Sequence, residues 1–174
     1  ITNDTLDKVR DAFLFMAGTG LEYADMEALS TEDVKTDGNR RYIRKKRVKT
    51  GVEYLTVLTD YAAEIWDFYG GKIPLLSNQK MNVYLKTVAK IAKITDKNIS
   101  TLVARHTFAT SRLNEGLSME IVSRMLGHIS TSQTKVYAKL LDNTVFEALD
   151  GVERRQTKNL SPANHKPAES AKNG

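Results

Sequence analysis

The stretch VARHTFATSRLNEGLSMEIVSRMLGHISTSQTKVYAKLL, Val103 to Leu141, decides how the chain is read. It opens inside a helical pattern running from Thr101 to Asn114, which ends at Gly116. Ser118 can cap a shorter helix that reaches Leu126 and stops at Gly127, because a glycine enters the left-handed conformation that ends helices without a Cβ penalty. Helical patterns follow from Thr134 to Leu141 and from Thr144 to Val152. Within the stretch, Arg105, His128 and Tyr137 fall in order at separations of 23 and 9 residues. The middle of it, from Thr107 to Leu126, also reads as a helix-turn-helix whose second helix would enter a major groove.

Upstream, Leu6, Val9, Phe13 and Met16 recur at spacings of three and four, which predicts a helix from Thr5 to Ala17 capped by Asp4 and ended by Gly18 and Gly20. A short helical segment, Tyr23 to Leu29, comes next. Arg41 to Val48 and Val52 to Leu58 read as two strands joined across Lys49-Thr50-Gly51, a hairpin signal. Thr59 or Asp60 can cap a helix carrying Ala62, Ile65, Trp66 and Tyr69 that stops at Gly70-Gly71, and Ser77 can cap another carrying Met81, Tyr84, Leu85, Val88 and Ile91. The expected fold class is α+β: a mainly α-helical domain over residues 1–155 with a small antiparallel β-sheet. Residues 156–174, polar and Pro/Ala-rich without periodicity, are expected to form a disordered tail.

A chain of 174 residues is the size of one domain, and 41% hydrophobic with 27% charged residues is ordinary globular composition. The absence of cysteine excludes disulfide scaffolds, thiolate zinc sites and thiol chemistry, and three histidines are too few for most histidine-rich metal sites. No carboxylate pair stands beside a histidine in the pattern of a metal-dependent nuclease. No apolar run approaches the roughly 18 residues of a membrane span, and no signal peptide is visible, so a soluble intracellular protein is expected. Because the chain begins at Ile1 rather than Met, a longer protein with an upstream domain is also expected.

The net charge of +5 is concentrated locally: RRYIRKKRVK, residues 40–49, carries +7, leaving the remainder of the chain at −2. Arg40, Arg41, Arg44, Lys45, Lys46 and Arg47 are therefore candidate DNA-binding residues, since neutralising backbone phosphates releases condensed counterions. A solvated hairpin that protects its edges with Lys and Arg is the plainer alternative.

The Arg105, His128 and Tyr137 spacing, with LGH closing one helix before the tyrosine, resembles the tyrosine recombinase (phage integrase) family, from the TGL at Thr19 through the hairpin to Tyr137. The chemistry of the residue types agrees. Metal-independent DNA cleavage needs a nucleophile, fixed cations that stabilise a pentavalent phosphorane, and an acid for the leaving 5′ oxygen. Tyr137 can be the nucleophile, although a phenol with a pKa of about 10 needs a base or nearby positive charge. Arg105 can grip nonbridging oxygens bidentately and His128 can donate to the same phosphate. The resemblance implies that Lys49, at the hairpin tip, protonates the leaving oxygen. It also implies a 3′-phosphotyrosine intermediate that needs no metal, ATP or other cofactor.

Each residue also has a duller role open to it: Tyr137 in packing, His128 as a helix cap, Arg105 in a structural ion pair, Lys49 as one more solvated base. Two family positions have departed. Glu22 stands where an Arg follows Gly-Leu, and Leu102 where His-x-x-Arg has its histidine. A carboxylate beside the phosphate costs on the order of a few kcal/mol unless it is paired or turned away. Loss of one charge-assisted contact commonly costs a factor of about 10² to 10³ in rate. Either a basic residue among Arg40, Arg41, Arg44 and Arg47 fills the vacancy with Glu22 orienting it, or the enzyme is slow, or the domain binds DNA without cutting it. Asp25, at a position usually acidic in the family, is assigned a structural or orienting role, and His106 a packing role.

The resemblance thus implies a site-specific recombinase for integration or excision of a mobile element, acting on double-stranded DNA recombination sites in the bacterial cytoplasm, without membrane association. It implies a homotetramer docked through the C-terminal segment Asn143 to Gly151, with Val145, Phe146 and Leu149 as its buried face, and an N-terminal DNA-binding domain that closes a clamp. A catalytically impaired DNA-binding domain or a helix-turn-helix regulator is the alternative.

Overall fold

A computed structural model describes residues 3–137. In chain order it contains α1 (Asn3–Thr19), α2 (Tyr23–Glu27), β1 (Val34–Asp37), β2 (Arg40–Lys46), β3 (Glu53–Val57), α3 (Asp60–Phe68), α4 (Asn78–Ile91), α5 (Thr101–Asn114) and α6 (Met119–Leu126), with 3₁₀ turns at Thr31–Asp33, Thr131–Gln133 and Lys135–Tyr137. The α+β expectation holds. The strands form one antiparallel sheet in the order β1-β2-β3, with Val34 opposite Ile43 and Ile43 opposite Thr56. β1 is an addition to the sequence reading: VKTD has one half-buried residue and three exposed ones, so no alternation marked it as a strand.

The helix starts follow their caps. The hydroxyls of Thr59, Ser77 and Ser118 accept from the amides of Ala62, Lys80 and Ile121, satisfying first-turn N–H groups that have no intrahelical partner. α1 is the central helix, packing against α3, α4 and α5. Its Val9, Ala12, Phe15 and Met16 are fully buried, and the Phe15 ring stacks on Trp66 at 5.6 Å. A second cluster joins Phe108, Ala109 and Leu113 of α5 to Val122 and Leu126 of α6 and to Tyr137. Where these two cores meet the sheet, Thr56 donates its hydroxyl to the Thr19 carbonyl at 2.7 Å. That junction carries the candidate site.

The helical pattern from Thr134 to Leu141 appears as the 3₁₀ turn ending at Tyr137 as far as it is described. Its remainder, the helix from Thr144 to Val152, the docking segment Asn143 to Gly151 and the tail 156–174 lie outside the described residues. Among the described residues no helix is long and apolar enough to cross a membrane.

Candidate active site

Four chain segments converge on a cleft of about 310 Å³: the start of α2, the β2–β3 hairpin turn, α5, and the loop from Gly127 to Tyr137. Glu22, Lys49, Leu102, Arg105, His128 and Tyr137 all line it. Residues 115 positions apart are thus brought to one face because Gly20 ends α1 with φ +73° and Gly127 ends α6 with φ +61°. These turns aim two carbonyls at one guanidinium: Arg105 donates from Nη1 to the Gly20 carbonyl and from Nη2 to the Leu126 carbonyl, both at 2.8 Å. Arg105 is 4% exposed. Burial, followed by repulsion from Arg47, lowers its pKa to about 10, so it remains cationic at neutral pH. The carbonyls fix the plane of the fork and leave Nη protons over.

His128 sits just past Gly127, and its Nδ1 lies 2.8 Å from the Thr134 hydroxyl. With the hydroxyl donating, the imidazole carries its proton on Nε2. Burial first, then Arg105 and Arg47, push its pKa down to about 4, so it acts as a neutral donor. Tyr137 is 4% exposed, with its hydroxyl 2.9 Å from His106 Nδ1. Burial raises the phenol's pKa against the opposing pull of Arg105, while burial and Arg105 lower that of His106. A protonated phenol therefore meets a neutral imidazole, which in its Nε2–H tautomer accepts the phenolic hydrogen. His106 was expected to pack, and it does meet the Tyr137 ring edge-on, but it also holds the hydroxyl. No local pattern announces the contact, because His106 and Tyr137 lie 31 residues apart.

The departed positions have distinct fates. Glu22 does not orient a hairpin arginine: its carboxylate lies 3.5 Å from Arg105 Nε with the side chain 42% exposed. Leu102 is exposed at the mouth of the cleft. Asp25 accepts from Arg47 Nη1 at 2.6 Å and from the Val48 amide at 2.8 Å. Lys49 is exposed at the turn closed by Gly51 N–H donating to the Arg47 carbonyl at 2.8 Å.

The six basic hairpin residues do not share one face. Strand alternation splits them. Arg40, Arg44 and Lys46 are exposed and form no ion pair among the described residues. Arg41, Lys45 and Arg47 face the other way and are each taken by an aspartate. Arg41 grips Asp67 bidentately at 2.5 and 2.8 Å, Lys45 meets Asp33, and Arg47 meets Asp25. Arg41 and Lys45 stay half-buried, and Arg47 is 4% exposed. The helix-turn-helix reading also changes, because α6 packs between β3, α5 and the 3₁₀ turn at Thr131–Gln133 and does not project as a reading helix.

A helical domain with a three-stranded sheet that gathers Arg, His, Lys and a tyrosine at one cleft has the fold of tyrosine recombinase catalytic domains. The chain belongs to the phage integrase family, whose sequence profile matches residues 2–144. It is 31% identical over 157 residues to tyrosine recombinase XerC of Listeria innocua, covering 78% of this chain and 51% of that protein. It is 27% identical over 161 residues to tyrosine recombinase XerA of Pyrococcus furiosus, covering 83% and 55%. The chain spans about half the length of these curated relatives. Among solved structures, its fold is similar to a XerA recombinase (TM-score 0.64, 20% identity, covering 87% of this chain and 64% of that one). It is similar also to the XerH site-specific recombinase bound to palindromic difH substrate in a post-cleavage complex (TM-score 0.64, 17% identity, covering 88% and 53%).

Proposed function

We propose that the chain is the catalytic part of a site-specific DNA recombinase that cleaves and rejoins strands through a 3′-phosphotyrosine, without metal, in the integration or excision of a mobile element. The observation that carries this is the convergence of Tyr137, Arg105, His128 and Lys49 from separate segments on one cleft. The Tyr137 oxygen attacks the scissile phosphorus, forming the tyrosyl ester as the bond to the 5′ oxygen breaks. The phenolic proton passes toward His106, and the leaving oxygen takes a proton from Lys49. Arg105 and His128 hold the nonbridging oxygens, where preorganised donors stabilise the charge that builds in the phosphorane. Reversal by a 5′ hydroxyl from another strand reseals the DNA. The bond energy is conserved in the ester, so no nucleotide cofactor enters.

Double-stranded recombination sites in the bacterial cytoplasm are the proposed partner, gripped outside the cleft by Arg40, Arg44 and Lys46. The homotetramer and the clamp-closing N-terminal domain are carried by the family resemblance. A binding-only domain is the second reading, favoured by the carboxylate of Glu22 beside Arg105. Covalent trapping decides between them. Nicked duplexes of randomised sequence, built so that the released 5′ fragment diffuses away, are incubated in chelator and resolved on denaturing gels. A protein–DNA adduct absent from Tyr137→Phe is the expected result, and a folded wild-type chain that binds the duplexes but never forms the adduct overturns strand cleavage.

A further inference from the structure

The cleft contains a second guanidinium that the chemistry above leaves idle. Arg47 lines it beside Arg105, His128 and Tyr137. It is 4% exposed, yet among the described residues its Nε and Nη2 meet no hydrogen-bond partner. A buried guanidinium normally has its donors satisfied, so two open ones on one side of the fork point to an acceptor supplied from outside. The rest of the side chain is held rigidly. Asp25 takes Nη1 at 2.6 Å, and the Tyr54 ring lies 4.1 Å beneath the guanidinium carbon, which fixes both the position and the plane of the fork.

Gly127 completes the cradle. A Cβ there would lie 2.9 Å from Arg47 Nε and 3.0 Å from its Cγ, so the residue that turns His128 into the cleft also leaves space for this arginine. Asp25 offsets one positive charge and Glu22 faces Arg105 from the partly exposed rim. Arg47 and Arg105 still repel one another, and both disfavour a charged His128. Such a set is relieved by an anion placed between the two guanidiniums.

We propose that Arg47 is a catalytic residue that binds the nonbridging oxygens of the scissile phosphate through Nε and Nη2, supplying from the hairpin the cation missing at Glu22. The assignment rests on the strand-cleavage reading, and the test separates the two. Covalent trapping from the randomised nicked duplexes first recovers the sequence that wild-type protein cleaves. That duplex is then made with either an ordinary phosphate or an uncharged methylphosphonate at the scissile position. On the phosphate, Arg47→Gln forms adduct about 10²-fold more slowly than wild type. On the methylphosphonate, where no negative charge needs a second cation, the gap closes to a few fold. Glu22→Arg combined with Arg47→Gln regains at least tenfold on the phosphate.

An equal loss on both substrates makes Arg47 a prop for the hairpin and overturns the proposal, as does a folded Arg47→Gln protein with the wild-type rate. Should Arg47→Gln not fold, Arg47→Lys keeps a cation for Asp25 but loses the fork, and the same contrast between substrates is read from it. If wild-type protein gives no adduct, strand cleavage itself fails. Arg47 is then judged by the resonance of its side-chain Nε–H during titration with orthovanadate: a saturable shift shared with Arg105 sustains the anion site, and a stationary Arg47 signal overturns it.

Discussion

The two faces of β2 carry the same residue types and do opposite things. On one, Arg40, Arg44 and Lys46 stand in solvent without ion pairs among the described residues. On the other, Arg41, Lys45 and, just past the strand, Arg47 each meet an aspartate, with exposure falling toward the cleft. A solvated cation contributes a screened, sequence-independent pull on phosphate. A buried one has already lost its hydration, so its unpaired donors are directed and its removal is felt structurally. The +7 decade is therefore two devices interleaved at a period of two.

The buried set breaks most severely at Asp25. Its carboxylate is 3% exposed and holds both Arg47 and the Val48 amide. Asp25→Asn leaves a buried guanidinium without a counter-charge, a change that costs about 3 kcal/mol or more. The expected drop in melting temperature is about 6 to 12 °C for a domain of this size. An unchanged melting curve would show that the pair contributes nothing to the hairpin's anchorage.

The next effect is kinetic. His106→Phe keeps an aromatic ring against Tyr137 and removes the nitrogen 2.9 Å from its hydroxyl. Adduct formation should slow by about 10²-fold, the usual scale for one proton-transfer partner. The melting temperature should stay within a few degrees, because the imidazole is only partly buried. A wild-type rate would reduce the contact to packing, as first expected from the sequence.

Most of the helical frame was legible because local chemistry determines it: Thr59, Ser77 and Ser118 cap where expected, and Gly127 ends α6 in the left-handed region. β1 was not, because an exposed edge strand needs no apolar alternation, even though its pairing with β2 is local, turning across Gly38-Asn39. In the site, Arg105, His128 and Tyr137, taken from their spacing, and Lys49, taken from the resemblance, line one cleft. Arg47 was read both as one of six DNA-binding bases and as one of four that could fill the vacancy at Glu22; what set it apart was strand parity with Ile43, which is fully buried. Its partner Asp25 lies 22 residues away in another element, and no window along the sequence brings a +1 and a −1 at that distance together.

The smallest effect belongs to the outer face. Arg44 is exposed, opposite Leu55 in the sheet register, and among the described residues it holds no carboxylate that its removal would release. Arg44→Ala should leave the melting temperature unchanged and weaken binding to unrelated duplexes about equally. The slope of log K against log salt should fall in magnitude by about 0.9, the share of one phosphate contact. Covalent adduct formation at saturating protein should match wild type, because a solvated cation adds to encounter and not to the charge that develops on the phosphorane. A loss of adduct at saturation would move Arg44 from the grip into the cleft, and the division of the strand into an outer holding face and an inner reacting face would not stand.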